Sequence, residues 1–201
     1  MKKKEKCLNE VILSGTVVKD FELDHYEVGI KYFICEVECK RHSGVMDVIK
    51  VMANEYQVDT SESWIGEKVE ITGEYRSFNY KDENRWKLKL FVKSKTFQCI
   101  SEHTWHNETM LTGYICSKPQ FRDRNIKKVC NVTLAIPRYD ATDYIPCIFW
   151  GPDALAAVDF KVGKKITVLG RLQSRTYLKR EEAGLFEKIC WEVSVKGYRE
   201  E

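Results

Sequence analysis

Along this 201-residue chain, apolar and polar side chains alternate with period two over short runs separated by turn residues, a pattern that predicts β-strands. The runs fall at roughly 10–20, 31–41, 45–53, 67–78 and 86–97, and again at roughly 108–117, 127–137, 143–150, 164–176 and 187–197. A helix-compatible segment separates the third and fourth runs of each set. In the second set it is Pro152 to Phe160, where Pro152 suits a helix start because its missing N–H is not needed there. In the first set it is Asn54 to Trp64, a poorer helix former rich in Ser and Thr.

The two sets are copies of one unit, offset by about 97 residues. Asn9-Glu10 through Leu13 and Gly15 returns as Asn107-Glu108 through Leu111 and Gly113. Gly66, Lys68, Ile71 and Gly73 return as Gly163, Lys165, Val168 and Gly170, and Ser77 and Tyr80 as Ser174 and Tyr177. Five strands with a short helix between the third and fourth is the layout of an OB-fold barrel. The expectation is therefore an all-β protein of two tandem OB-fold five-stranded barrels, each with that helix. The divisions are a basic N-terminal tail (1–8), a first, divergent OB-fold domain (9–99), a linker (100–106) and a second OB-fold domain (107–198).

Parity then separates core from surface. Val69, Ile71 and Tyr75 in the first copy, and Ile166, Val168 and Leu172 in the second, face the barrel interior. The opposite parity carries Glu74, Arg76, Phe78 and Tyr80 in one copy and Arg171, Gln173, Arg175 and Tyr177 in the other. Basic side chains interleaved with aromatics on one strand face suit a single-stranded nucleic acid, with phosphates taking the charge and bases stacking on the rings. In Tyr144 to Trp150, both strand faces are apolar or aromatic. A small barrel has one interior, so the second face calls for a ligand or a partner.

Composition changes this picture little. With 43% hydrophobic and 31% charged residues the chain is an ordinary globular one, with no apolar run of membrane-spanning length and no secretory h-region, so a cytoplasmic location is expected. The net charge of +3 is the difference between 33 Lys+Arg and 30 Asp+Glu, and it lies wholly in the second half, since residues 1–100 hold 17 of each. Lys2, Lys3, Lys4 and Lys6 form a basic arm that either contacts a polyanion or is simply solvated. The eight cysteines contain no C-x-x-C pair and mostly sit among apolar neighbours, which points to buried, reduced thiols and no metal site. His103, Trp105 and His106 in the linker have two readings, as metal or stacking groups or, favoured, as packing between the barrels. Neither a nucleophile elbow, nor a Walker loop, nor an H-E-x-x-H motif is present, so the expectation is a non-enzymatic protein without a cofactor.

The ordered set of residues in the second copy resembles the bacterial single-stranded DNA-binding protein (SSB) family. The matching features are Asn107, Leu111 and Gly113 in the opening strand, Lys118-Pro119 with Phe121-Arg122, and Cys130 to Arg138. Tyr144 to Gly151, the alanine-rich helix, Gly163-Lys164 and Gly170 to Tyr177 complete it. That resemblance implies stacking rings at Tyr144, Trp150 and Tyr177 and groove cations at Arg138, Arg171 and Arg175. Trp150 and Tyr144 have a plainer reading as core or dimer interface, and Tyr177 and Arg175 as a solvated strand end. Arg122 and Lys127, with Arg124 and Lys128, surround a predicted hairpin tip at Asn125 and are either contacts or a solvated hairpin, as is Lys179 with Arg180. The first copy departs from the pattern, with Val48 where Tyr144 stands and Glu74 where Arg171 stands. It keeps Arg76, Phe78 and Tyr80, and is read either as a weaker site or as structural mass. Trp64 and Trp191 lie on apolar runs and are read as core.

The resemblance implies sequence-independent binding of single-stranded DNA in replication, recombination or repair, by a nucleoid-associated homodimer that brings four barrels together, with replication or recombination proteins as further partners. The family's acidic C-terminal tail is not seen after Val195, so the chain is also similar to tail-less relatives such as the primosomal protein PriB. The alternative expectation is a replication-restart or mobile-element accessory protein whose barrels chiefly contact proteins. An RNA-binding OB module is a third reading.

Overall fold

The computed structural model describes residues 7–82, 85–102, 105–124, 127–181 and 184–201. The strands of the first half are β1 (Asn9–Glu27), β2 (Ile30–Lys40), β3 (Met46–Asn54), β4 (Lys68–Asp82) and β5 (Arg85–Cys99). The second half holds β6 (Asn107–Ile115), β7 (Gln120–Arg124), β8 (Lys127–Pro137), β9 (Thr142–Trp150), helix α1 (Gly151–Ala157), β10 (Lys165–Glu181) and β11 (Gly184–Glu200). The protein is all-β with one short helix among the described residues, consistent with an OB fold.

In the first half β1 pairs with both β2 and β4, β4 with β5, β5 in parallel with β3, and β3 with β2, so the pairings close a circuit. The second half repeats this through β6, β8, β9, β11 and β10. Val69, Ile71, Tyr75, Ile166, Val168 and Leu172 are all 0% exposed, as the period-two alternation predicts for inward positions. Burying side chains of this size stabilises by about 1.5–3 kcal/mol each relative to exposure.

The halves join in one continuous sheet through antiparallel pairing of β1 with β6. Asn9 lies opposite Leu111, Val11 opposite Thr109 and Leu13 opposite Asn107. Since Asn9, Val11 and Leu13 are the repeat counterparts of Asn107, Thr109 and Leu111, this register places a pseudo-two-fold axis at Val11 and Thr109. A conserved local device repeats on each side of it. The Asn9 side chain donates to the Tyr75 carbonyl at 2.8 Å and accepts from its N–H at 2.7 Å, and Asn107 does the same with Leu172 at 2.8 Å each.

Three expectations need correction. The first half has no helix between β3 and β4 among the described residues; residues 55–67 are turns and irregular chain. In the second half Gly151, at φ +55°, turns the chain sharply out of β9, and proline follows at the helix start. The first half has Glu55 in place of that glycine. Its polar side chains bind local backbone instead: Gln57 accepts from Asn54 N–H at 3.0 Å, Asn54 from Tyr56 N–H at 3.0 Å and Asp59 from Ser61 N–H at 2.9 Å. Second, the copies are not both five-stranded: the second half has six strands among the described residues, because the stretch after the opening strand differs between the copies. The second half breaks at Lys118-Pro119 and starts β7, whereas β1 runs on through register shifts to Glu27 and forms the hairpin with β2 by itself. Helix α1 also ends at Ala157, three residues short of Phe160, which instead packs edge-on against Phe149 at 5.7 Å.

Candidate functional site

The seam between the halves is held by two carboxylates that the dyad relates, Asp47 on β3 and Asp143 on β9, both fully buried. Asp47 accepts from the Ser174 N–H at 2.8 Å, while the Val48 N–H donates to the Ser174 hydroxyl at 3.0 Å. Across the axis, Asp143 accepts from the Ser77 N–H at 2.9 Å and the Tyr144 N–H donates to the Ser77 hydroxyl at 2.7 Å. Each carboxylate also takes an arginine, but not the equivalent one. Asp47 holds Arg41 from its own half through two bonds of 2.6 Å, and Asp143 holds Arg76 from the opposite half at 2.7 Å.

Beside each carboxylate lies a cleft. The cationic cleft, of about 800 Å³, has a floor from the second half and a wall from the first. Trp150, Lys127, Lys128, Arg171 and Arg175 come from the second half and Arg41 from the first, with no acidic residue in the described lining. Trp150 is half-buried and its indole N–H donates to the Ser194 hydroxyl at 3.1 Å, fixing the ring's edge while a face stays at the cleft. Arg171 bonds Gln173 at 3.2 Å, but its Nε is buried without a partner. Burial, with Arg41 nearby, pushes its pKa down. Its guanidinium is thus held at a desolvation cost that an incoming anion relieves. Arg175 is pulled down by burial and, more strongly in sum, up by Glu192, whose carboxylate is 3.4 Å away; it also lies 5.9 Å from the Tyr177 ring. Tyr177 is 37% exposed, enough for a ring face to meet a base.

The second cleft, of about 770 Å³, has its floor in the first half and takes Arg138 and Trp191 from the second. Phe78 and Tyr80 present rings there, 58% and 38% exposed. Four of its five Lys and Arg side chains already face a carboxylate, and Lys50 lies over the Trp191 ring. Lys89 pairs with Asp24, Lys93 with Glu27 at 3.1 Å, and Arg76 with Asp143 and Glu74, which also holds Lys95 at 2.9 Å.

The twelve expected contact residues therefore divide. Trp150, Arg171, Arg175 and Lys127 line the cationic cleft, with Tyr177 beside Arg175. Arg76, Phe78, Tyr80 and Arg138 line the paired cleft. Arg138 is thus placed with the first copy's residues and not with Arg171 and Arg175, because the β8–β9 turn that carries it reaches over the seam. Its Nε is 3.2 Å from Asp140, an ion-pair contact without hydrogen-bond geometry. Tyr144 and Arg122 are exposed but line neither cleft, and the side chain of Lys179 lies outside the described residues. The tail lysines, His103 and the hairpin tip at Asn125 also lie outside them. Gln173, read as outward, is 3% exposed; it donates to Glu192 on the neighbouring strand at 2.7 Å and accepts from Arg171 at 3.2 Å.

Trp64 packs edge-on against Phe21 and Phe97 at 5.7 and 5.4 Å, at the rim of the core. Trp191 differs from expectation. It packs at the core's edge but spans the seam, donating to the Val48 carbonyl at 2.8 Å with Lys50 4.9 Å from its ring centre. Arg41 was not legible as a site residue by composition, yet the repeat pairs it with Arg138, and both donate a backbone N–H across the same turn, to Val45 at 2.8 Å and Ala141 at 2.9 Å. In the linker, the His106 carbonyl accepts from the Ser14 N–H at 2.8 Å and its ring is 3.4 Å from Glu70. Among the described residues no group of three or more His, Cys, Asp or Glu could hold a metal ion. Cys35, Cys39, Cys130 and Cys147 are buried, and burial pushes the thiols of all four up, away from thiolate chemistry. Among the described residues no helix is long and apolar enough to cross a membrane.

Comparison with known proteins places this geometry. Residues 106–195 match the model of the single-strand binding protein family. Among solved structures, the wild-type single-stranded DNA binding protein from Thermus aquaticus is similar at TM-score 0.76 and 18% identity, covering 98% of this chain and 94% of that one. A deletion variant of the same protein gives TM-score 0.76 and 18% identity over 98% and 95%. The N-terminal domain of PriB from Thermoanaerobacter tencongensis is 28% identical over 47% of this chain and 98% of its own, at TM-score 0.41. No curated protein gives a significant sequence match.

Proposed function

Since residues 106–195 match the model of the single-strand binding protein family, we propose that this chain binds single-stranded DNA, without catalysis and largely without regard to sequence, and that the cationic cleft is its main groove. The observation that carries the proposal is the lining of that cleft: five cations with no acid around a fixed indole, with Arg171 half-buried and its Nε without a partner. Phosphates take Arg41, Arg171, Arg175, Lys127 and Lys128, while bases stack on Trp150 and Tyr177. Tyr144 and Arg122 extend the same path outside the cleft. The cleft contains Arg41 from the other half, so the groove is complete only when both halves are present.

In this reading each closed circuit is an OB-fold barrel and the chain is a tandem pair. Two chains then associate through the outer face of the shared sheet, where Ile12, Met110 and Leu169 are 42%, 37% and 46% exposed on adjacent strands, giving four barrels per assembly. Replication, recombination or repair is the setting that such binding serves. Titrating tryptophan fluorescence with oligo(dT), repeated at rising salt, tests the proposal; salt-sensitive quenching is expected, and no quenching or gel shift at low salt overturns it. Mass in solution with and without the oligomer reads the dimer directly.

A further inference from the structure

The hairpins that border the two clefts occupy equivalent positions but carry opposite charge. In the second half the hairpin of β7 and β8 places Arg122 opposite Val129 and Arg124 opposite Lys127. In the first half the hairpin of β1 and β2 places His25 opposite Tyr32 and Glu27 opposite Ile30. Counting outward from Cys39 and Ile136, the strand partners of Asp47 and Asp143, Ile30 and Lys127 each lie nine residues back, so the acidic Glu27 stands where Arg124 stands in the other copy. Asp24, at a register shift between Leu23 and His25, is the second carboxylate of this hairpin.

Both carboxylates point at lysines of β5 that line the cleft. Asp24 pairs with Lys89 and accepts from His25 at 2.8 Å; only 21% of its side chain is exposed. Glu27 pairs with Lys93 at 3.1 Å, and Lys93 lies 4.6 Å from the Tyr32 ring. Burial works against the charge on Asp24, but Lys89 and His25 outweigh it and hold the carboxyl below its ordinary range; Lys93 does the same for Glu27. The pairs therefore persist at neutral pH. The cleft behind them is otherwise equipped for bases, with the rings of Phe78, Tyr80 and Trp191 at its lining.

We propose that the first-half cleft is a second single-stranded DNA site that the chain occupies with its own carboxylates: Asp24 and Glu27 sit where phosphates would sit, and DNA enters only when the β1–β2 hairpin gives up Lys89 and Lys93. The inference rests on the function proposed above and adds to it a self-masked site with its own salt behaviour. While masked, this cleft contributes little to binding or to counterion release, so the wild-type salt dependence reports mainly the cationic cleft. Removing the carboxylates frees two lysines to neutralise two phosphates, each steepening the slope of log affinity against log salt by about 0.7.

The test compares the wild type with Asp24→Asn/Glu27→Gln by anisotropy of fluorescein-labelled oligo(dT) across a salt series. The double variant is expected to bind several-fold tighter at low salt, with a slope steeper by about 1.4, and to lose that gain when Phe78→Ala/Tyr80→Ala is added. Glu27 is 52% exposed in its side chain, so Glu27→Gln alone keeps the fold if the double variant does not, and is expected to steepen the slope by about 0.7. A wild type that binds oligo(dT) and variants with unchanged affinity and slope overturn the masking. A gain that survives loss of Phe78 and Tyr80 overturns its location. A wild type that fails to bind oligo(dT) at all overturns the proposed function instead.

Discussion

The cationic and paired clefts occupy the same place in the two halves, and each has five basic residues in its lining. They differ in where those charges are spent. In the second half the strand pairing sets Arg175 opposite Cys190 and Arg171 opposite Ser194, so the cations stand on β10. In the first half Phe78 is opposite Lys89 and Glu74 opposite Lys93, so the cations have moved to β5, within reach of the acidic hairpin. Counting basic residues therefore does not identify a polyanion site. What matters is whether each cation already has a carboxylate, and Arg171, whose guanidinium bonds the amide of Gln173, is the clearest contrast with Arg76, which is held by Asp143 and Glu74.

The sharpest way to break this comparison is to remove the rings. Trp150→Ala with Tyr177→Ala is expected to weaken oligo(dT) binding by about 2–6 kcal/mol, and Phe78→Ala with Tyr80→Ala in the otherwise unaltered chain by much less. Equal losses from the two pairs, read by fluorescence titration, would show that the clefts are equivalent. Next comes the seam. Asp143→Ala strips Arg76 and the Ser77 N–H of a fully buried partner, and Asp47→Ala does so for Arg41 and the Ser174 N–H, so each should destabilise by about 3–5 kcal/mol in urea melts. A large difference between the two would locate stability in one half's side of the seam. A smaller effect is expected in the barrel corners. A Cβ on Gly170 would meet the Ser194 carbonyl oxygen at 2.5 Å and the Val193 side chain at 2.8 Å, so Gly170→Ala should cost about 1–3 kcal/mol. Gly113→Ala, with its nearest contact at 2.8 Å, should cost less in the same thermal melts. The smallest effect is a slope. Arg171→Gln should flatten the salt dependence by about 0.7, whereas Arg76→Gln, whose guanidinium is bound to Asp143 and Glu74, should leave it unchanged.

The barrel interior was legible because period-two alternation is a local signal: Ile166, Val168 and Leu172 are inward on β10 whatever lies elsewhere. The repeat was legible for the same reason, since matching residues recur in one order. The site was legible only in part. Parity says which side chains leave the barrel, not what then engages them, so Gln173 and Arg76 were read as outward, but Gln173 is held by Glu192 on the neighbouring strand and Arg76 by Asp143 of the opposite half. Trp191 and Arg138 were misplaced similarly, because a partner across the seam lies more than 60 residues away: Val48 lies 143 residues from Trp191, and Asp143 lies 67 from Arg76. The absent first-half helix was a question of local chemistry, decided by Glu55 in place of a glycine and by side chains that bind backbone more readily than a helix does.

The pseudo-two-fold at Val11 and Thr109 carries one further consequence. In an assembly of identical chains, an exact axis duplicates every side chain, so an acidic hairpin on one side would force an acidic hairpin on the other. Joining the two copies in one polypeptide lifts that identity. On the masking proposed above, it also fixes the ratio of open to occluded grooves at one to one, independent of how much protein a cell makes.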